Sequence, residues 1–276
     1  LRRCGKDARA NVLPQAGDQI ARIMRPSTPL STTVIITAGA DEAALLSCTA
    51  AVRRTSLGPP PHILIATDST RVADIARSSE LATVLCSAMH DRAGLINAAL
   101  GHVNTAHACI LDANVKPLSA DWLHVLEGLA IQSGAGCVGG LITRADGRVS
   151  HAGYVLGMRP LVSVAFEGAD SAARVYGDLL NVTHGVSALS MRATLLRMDL
   201  VRELGGFGQA DFPQHLGDVH FCLRLGERGY RIVLDPHVRF LDTGTPETGV
   251  ARPSAADELL LARFRHRWSE KLGNDP

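Results

Sequence analysis

Short apolar runs alternate with amphipathic segments through the first half of the chain. The predicted elements follow in this order: a strand over residues 33–37, a helix over 41–54, a strand over 63–66, a helix over 70–81, a strand over 83–86, a helix over 92–100 and a strand over 108–111. Strands this short and apolar, separated by helices, are typical of a parallel sheet with helices on both faces.

The second half departs from this alternation. A helix over residues 120–132 precedes a glycine-rich strand over 136–141, and Asp146-Gly147 between extended residues predicts a hairpin turn. Antiparallel strands therefore join the parallel ones, and we expect an α/β fold with a mixed, mostly parallel central sheet.

Both ends of the chain carry helical stripes. Ile20, Ile23 and Met24 predict a short helix within an N-terminal helical arm over residues 1–29. The central domain is expected over 30–245. A C-terminal packing helix over 246–276 is predicted from an apolar stripe, which consists of Leu260, Leu261, Phe264, Trp268 and Leu272.

Composition narrows the class of protein. The chain has 28 Lys and Arg against 27 Asp and Glu, which disfavours a nucleic-acid partner, and 46% hydrophobic residues, enough for a large core. No apolar run reaches the roughly 18 residues that a membrane span needs. Six scattered cysteines without a C-x-x-C pair indicate buried, reduced thiols and a cytoplasmic protein, with disulfides the minor alternative. Because the chain begins with Leu1, we expect a fragment of a longer protein whose other domains are its partners.

Polar residues that follow the predicted strands are the first candidates for function, because ligands of open α/β sheets bind at the carboxyl ends of strands. Thr37, Asp68, Asp112 with Asn114, and the later Asp218 stand at such places. An aspartate there can hold a sugar hydroxyl or a metal that bridges a diphosphate, but it can also simply end a strand or cap a helix.

The order of segments resembles the family 2 glycosyltransferases of the GT-A fold, in the branch of rhamnosyltransferases and other enzymes of bacterial surface-polysaccharide assembly. The resemblance covers about residues 29–276. Its segments are Val34-Ile35-Ile36, the acidic turn 111–117 with Asp121-Trp122-Leu123, His151-Ala152-Gly153, Gly205-Gly206-Phe207, the stretch 218–233, and Arg267-Trp268.

The resemblance implies inverting transfer of a sugar from a nucleotide-sugar donor to a glycan acceptor. Asp218 would be the general base. Thr37, Asp68, Asn97, Asp112 and Arg192 would bind the nucleotide-sugar, and Trp122, His151, Met191 and His220 would border the acceptor pocket. His151 is as readily a hydrogen-bonded turn residue, and Trp122 a core or rim anchor. A divalent ion, Mn²⁺ or Mg²⁺, would lie at Asp112 and Asn114. Location at the inner face of the membrane, through partners, would fit this role.

The candidate site departs from the family pattern in several places. The second and third positions of the acidic triplet, both carboxylates in the family, are Ala113 and Asn114, so the metal site lacks the carboxylates that would follow Asp112. The family's aspartate after the second strand is replaced by Thr67, which leaves Asp68 one residue late. A Thr-Gly-Ala segment that lines the sugar pocket corresponds to Ser190-Met191-Arg192.

Two functions follow from these departures. One is a glycosyltransferase with reduced activity, and the other is a catalytically silent glycosyltransferase-like domain with a structural or glycan-binding role. Met191 and Arg192 either obstruct the sugar pocket or, through Arg192, pair with the diphosphate in place of the metal. Obstruction is favoured at this stage, because no carboxylate stands near Arg192 in the sequence.

Overall fold

The computed structural model describes residues 9–14, 19–24, 32–79, 83–86, 91–157, 161–173, 178–212, 216–244 and 255–273; the side chains of 9–14, 19–24, 83–86 and 255–257 are not among them. The elements are, in chain order, β1 (Arg9–Pro14), β2 (Gln19–Met24), β3 (Thr32–Ala38), α1 (Glu42–Thr55), β4 (His62–Thr67), α2 (Thr70–Ser78), β5 (Thr83–Cys86), α3 (Arg92–Leu100), β6 (His107–Asp112), β7 (Val115–Pro117), α4 (Trp122–Ala130), β8 (Ala135–Arg144), β9 (Val149–His151), β10 (Tyr154–Leu156), β11 (Val162–Val164), a 3₁₀ turn (Leu179–Asn181), β12 (His184–Val186), β13 (Ala193–Arg197), α5 (Met198–Leu204), α6 (Gly217–Glu227), β14 (Arg231–Asp242) and α7 (Ala255–Leu272).

A mixed sheet forms the centre of the fold. Its strands lie in the order β12-β14-β8-β13-β6-β3-β4-β5, with β7 paired to β14 and β9 to β8. Strands β6, β3, β4 and β5 are parallel to one another, and β14 is parallel to β8, whereas β13 runs antiparallel to both of its neighbours. Val34, Leu64 and Ile110, each in a strand that the sequence predicted, lie in neighbouring parallel strands.

Helices cover both faces of this sheet, as the apolar strands predicted. Every residue of β3 is buried. Ile35 belongs to a core that includes side chains of α3, α5, α6 and α7, whereas Val34 and Ile36 belong to a second core with side chains of α1, α2 and α4. Successive residues of a strand point to opposite faces, so β3 supplies both cores.

The carboxyl ends of the central strands bring the candidate residues together. Thr37 on β3 is paired with Asp112 on β6, and the Asp112 backbone N–H donates to the Arg192 carbonyl at 2.9 Å, just before β13. The α6 helix begins at Gly217, next to Asp218. Parallel pairing of β3 with β6 and antiparallel pairing of β13 with β6 thus place residues that are distant in sequence at one edge of the sheet.

The predicted N-terminal helix is wrong. Strands β1 and β2 form an antiparallel pair in which Arg9 faces Met24 and Pro14 faces Gln19. Only six residues separate Asp18 from Arg25, and Gly17 and Asp18 are poor helix formers, so a strand pair satisfies the backbone better than an isolated helical turn. The remaining residues of the arm, 1–8, 15–18 and 25–29, lie outside the described residues.

The segment predicted to hold a C-terminal packing helix contains α7. Phe264 and Trp268 are buried in the core, and Leu260, Leu261 and Leu272 pack against it. The other parts of the predicted segment, 246–254 and 274–276, lie outside the described residues. Four cysteines, Cys48, Cys109, Cys137 and Cys222, are free and buried as expected. Within the described ranges, no helix combines the length and the apolar character that a membrane span requires.

Candidate functional site

A cavity of about 510 Å³ lies at the carboxyl ends of β6 and β3, and we call it the charged cavity. Its lining includes two arginines and two aspartates: Arg92, Asp112, Arg192 and Asp218. A larger cavity of about 890 Å³ lies beside it, lined mainly by apolar residues such as Val155, Leu156 and Phe166. Acid–base chemistry needs ionisable groups in one place, so the charged cavity is the candidate site.

Asp112 is held by its own turn. One carboxylate oxygen accepts hydrogen bonds from the Asn114 backbone N–H at 2.9 Å and from the Asn114 side-chain amide at 3.2 Å. The other oxygen lies 3.5 Å from a guanidinium nitrogen of Arg92. The turn thus fixes Asp112 at the cavity wall, with one oxygen directed toward a cation.

Arg192 is bound by a carboxylate fifty residues away in the sequence. Its two terminal nitrogens donate to the two oxygens of Asp242 at 2.8 and 2.7 Å, and Ser150 Oγ donates to the same carboxylate at 2.6 Å. Burial opposes the charge of Arg192, but the hydrogen bonds and charge of Asp242 raise its pKa above the usual value. No carboxylate stands near Arg192 in the sequence, but β14 brings Asp242 to it from a distant part of the chain.

Arg92 was not identified from the sequence. It is the first residue of α3, and its Nη2 atom is buried without a hydrogen-bond partner among the described residues. A buried guanidinium N–H without an acceptor is costly. The sequence did contain a signal for the position of Arg92, because Asp91 is a residue type that caps helices. In the structure Asp91 accepts the Gly94 N–H at 2.6 Å, and so α3 begins at Arg92.

Asp218 lies in the first turn of α6 and is half-buried in the cavity wall. Loss of hydration raises the pKa of its carboxyl group, and the positive charge of Arg92 and the N–H of Val219 offset this only in part. The Tyr154 hydroxyl donates to Asp218 at 3.4 Å. A carboxylate with a raised pKa in a cavity is suited to accept a proton.

Met191 and His151 shape the segment before β13. Met191 is fully buried and lines the charged cavity together with Arg192, as the obstruction hypothesis requires of both. His151 is buried behind them, and its Nε2 accepts the Ser190 backbone N–H at 3.0 Å. Burial, reinforced by Arg192, lowers the pKa of His151 to about 3, so the ring is neutral and acts as an acceptor. The hydrogen-bonded turn residue is thus the better of its two interpretations.

Two predicted nucleotide contacts lie beside the charged cavity and not in its lining. Thr37 is buried at the end of β3, and its hydroxyl donates to the Leu111 carbonyl at 3.2 Å. Asp68 is exposed after β4. The nucleotide contacts of Thr37 and Asp68 therefore remain predictions, and a ligand would have to extend beyond the cavity to make them.

Asn97 binds protein backbone. Its side-chain amide donates to the Phe207 carbonyl at 2.9 Å and accepts the Phe207 N–H at 2.8 Å. A β-carbon at Gly206, which has φ of 78°, would approach the Asn97 amide oxygen to 2.5 Å. Asn97 and the glycine pair thus form one clamp that positions Phe207 in the cavity lining, and both bonds would be lost if the amide turned to a nucleotide.

Trp122 and His220 are structural residues, which corrects their assignment to the acceptor pocket. Trp122 is fully buried and packs edge-on against Phe240, 5.6 Å away between ring centroids. His220 accepts the Trp268 indole N–H at 3.1 Å and so fastens α7 to α6. Burial and the charge of Arg224 lower the pKa of His220 to about 4. Both were misassigned because family position indicates neighbourhood in the chain and not the face of the helix.

The donor set does not fit a divalent cation. Asp242 uses both oxygens on Arg192, and Asn114 directs its amide N–H, not a free carbonyl, toward Asp112. Mg²⁺ is usually bound through one or two carboxylates together with water and substrate phosphates, whereas the oxygens of Asp112 are directed to Asn114 and Arg92. Within the described part of the chain, no group of three His, Cys, Asp or Glu residues could hold a metal ion.

Comparison with known protein sequences finds a distant relative. No protein-family model matches the chain. A Sinorhizobium fredii protein, the uncharacterized protein y4gI, is 24% identical over 190 residues; the match covers 66% of this chain and 20% of that protein. The chain thus spans about one fifth of that relative's length.

Solved structures give a closer likeness in shape. The mannosyltransferase PcManGT from Pyrobaculum calidifontis, in complex with GDP-Man and Mn²⁺, superposes with a TM-score of 0.61 at 15% identity, over 91% of this chain and 66% of that one. GalNAc-T7 with UDP, GalNAc and Mn²⁺ gives 0.67 at 13% identity, over 88% and 49%. The chain has the GT-A fold that its resemblance to the family implied.

Proposed function

We propose that the chain binds a nucleoside diphosphate sugar in the charged cavity and transfers the sugar, with inversion, to a hydroxyl group of a glycan acceptor. The observation that carries this proposal is the juxtaposition of Asp112, two arginines and a carboxylate of raised pKa in one cavity of a GT-A fold. Both solved neighbours were crystallised with a nucleotide or nucleotide-sugar, which supports a donor of this class.

Residues that line or adjoin the charged cavity have separate roles in the proposed reaction. Asp218 takes the proton of the acceptor hydroxyl as the oxygen bonds to the anomeric carbon. The bond from that carbon to the diphosphate oxygen breaks, and its electron pair leaves with the diphosphate. Asp112, fixed by its turn, accepts a hydrogen bond from the nucleoside. Tyr154 and His151 hold Asp218 and the Ser190 segment in place.

We further propose membership of glycosyltransferase family 2, in the rhamnosyl and surface-polysaccharide branch, and a cytoplasmic site of action, at the inner face of the membrane through partners. The ordered sequence segments support the family. The domain limits 30–245 belong to the same proposal, because the strands of the central sheet run from β3 to β14.

A catalytically silent glycosyltransferase-like domain is the second candidate. The engagement of Asn97 with the Phe207 backbone favours it, since this amide was expected to contact the donor. The exposed position of Asp68 points the same way. The two candidates differ in whether a nucleotide-sugar binds at all.

Titration calorimetry with UDP, GDP and dTDP sugars separates them. We expect one nucleotide series to bind, and Asp112→Asn to weaken that binding about tenfold, because a hydrogen bond to a charged group is lost. Asp74→Asn removes the same charge from an exposed position on α2, outside the cavity lining, and should bind as the wild type does. Absence of binding by every nucleotide-sugar at millimolar concentration, with and without Mn²⁺, would instead establish the silent domain.

A further inference from the structure

We propose that Arg192, held by Asp242, together with Arg92, supplies a fixed positive charge that neutralises the donor diphosphate in place of a divalent metal ion. The inference rests on the proposed function, since it names the group that the same cavity would use against the leaving diphosphate. It also explains why the donor set at Asp112, Asn114 and Asp242 does not fit a metal.

The Arg192–Asp242 pair has the geometry of a fixed cation. Two of the five N–H groups of Arg192 donate to Asp242, and the other three have no acceptor among the described residues. The side chain of Arg192 is 28% exposed and that of Asp242 10%. The carboxylate is thus the buried anchor, and the guanidinium is the member of the pair that faces the charged cavity.

Arg92 is a second cation in the lining of the charged cavity. Its Nη1 lies 3.5 Å from Asp112, and its Nη2 is buried with no partner in the part of the chain that the structure describes. Both arginines line the same cavity. An unpaired buried donor beside a second guanidinium is a site arranged for an anion, and planar guanidinium groups bind phosphate oxygens in pairs.

The arrangement meets the electrostatic demand of transfer. As the bond from the anomeric carbon to the diphosphate oxygen breaks, negative charge grows on the leaving diphosphate. A cation that is already in place stabilises that charge without reorganisation. Asp242, with Ser150 behind it, holds Arg192 in position at that moment.

Binding of inorganic pyrophosphate, measured by calorimetry in EDTA, tests the inference without requiring recognition of a nucleoside. We expect the wild type to bind pyrophosphate, Arg192→Ala to weaken it at least about tenfold, and Arg192→Lys to retain part of the affinity. Arg197→Ala is the matched control. Arg197 also donates to one carboxylate, Asp199, through two nitrogens and is similarly exposed at 26%, but it lies outside the cavity lining.

Arg92→Gln gives a second variant at a more exposed position, 37%, where folding should be unaffected; it should also weaken pyrophosphate binding. The inference is overturned if the wild type does not bind pyrophosphate in EDTA, or if Arg192→Ala and Arg92→Gln bind it as the wild type does. A tenfold gain with Mn²⁺ that persists in Arg192→Ala would overturn it while leaving the proposed function intact. Pyrophosphate binding that depends on Arg192, without binding of any nucleotide-sugar, would uphold the cation site and contradict the proposed function.

Discussion

Asp218→Asn is expected to lower the rate of sugar transfer by about 10²- to 10⁴-fold, the range in which a general base contributes to catalysis. Asparagine keeps the size of the side chain and can still accept from the Tyr154 hydroxyl, but it cannot take the acceptor proton. The measurement is release of the nucleoside diphosphate from the donor that binds, in the presence of an acceptor. Donor affinity should stay within about twofold of the wild type, because Asp218 acts on the acceptor.

Asp211→Asn is the control for this variant, since Asp211 is an exposed aspartate shortly before the same helix. The pH profile adds a second reading. The base must be ionised, and burial raises the pKa of Asp218, so the acid limb of kcat/KM should lie above the value of about 3.9 for an ordinary aspartate. Transfer by Asp218→Asn at the wild-type rate would remove Asp218 from the mechanism.

Gly140→Ala should give the largest loss of stability, about 3 kcal/mol in the free energy of unfolding. A β-carbon at Gly140 would overlap the backbone carbonyl oxygen of Val238 and lie 2.7 Å from the Phe240 ring. Gly140 lies in β8 where its pairing with β14 shifts register between Asp235 and Arg239. The Val238 oxygen belongs to the backbone of the sheet, so a strand would have to shift to relieve the overlap, and this shift destabilises the fold.

Urea denaturation followed by circular dichroism measures the effect. Gly226→Ala is the matched control, because an added β-carbon there meets nothing within 4 Å and alanine favours a helix. We expect the control to be at least as stable as the wild type. Equal stability of the Gly140 and Gly226 variants would show that β14 is packed less closely on β8 than the structure has it.

The sequence was sufficient for the central sheet because its signal is local. The centres of β3, β4 and β6, at Val34, Leu64 and Ile110, lie in short apolar runs, and short apolar runs that alternate with helices are typical of strands covered on both faces. The arm was ambiguous, because Ile20, Ile23 and Met24 fit a helical stripe while their backbone pairs with β1. Periodicity over six residues cannot separate these two outcomes.

The site depends on contacts between distant parts of the chain, and for that reason it was only partly predictable. Asp112 and Asp218, candidates from the strand ends, line one cavity with Met191 and Arg192, candidates from the family resemblance. The contact of Asp242 with Arg192 could not be predicted from the sequence, because it depends on the order of strands in the sheet. The pairing of β14 with β8 brings Asp242, the last residue of β14, to the site. The sequence position of Trp122 and His220 did not show whether their side chains point into the core or into the cavity, because adjacent residues of a helix point about 100° apart.

A crystal structure with the tightest-binding nucleoside diphosphate, grown in EDTA, tests the central claim most directly. We predict the diphosphate in the charged cavity, with phosphate oxygens within hydrogen-bond distance of Arg192 and Arg92 and the nucleoside beside Asp112. A nucleotide bound outside the cavity lined by Asp112, Arg192 and Asp218, or one whose diphosphate contacts neither arginine, would contradict the account.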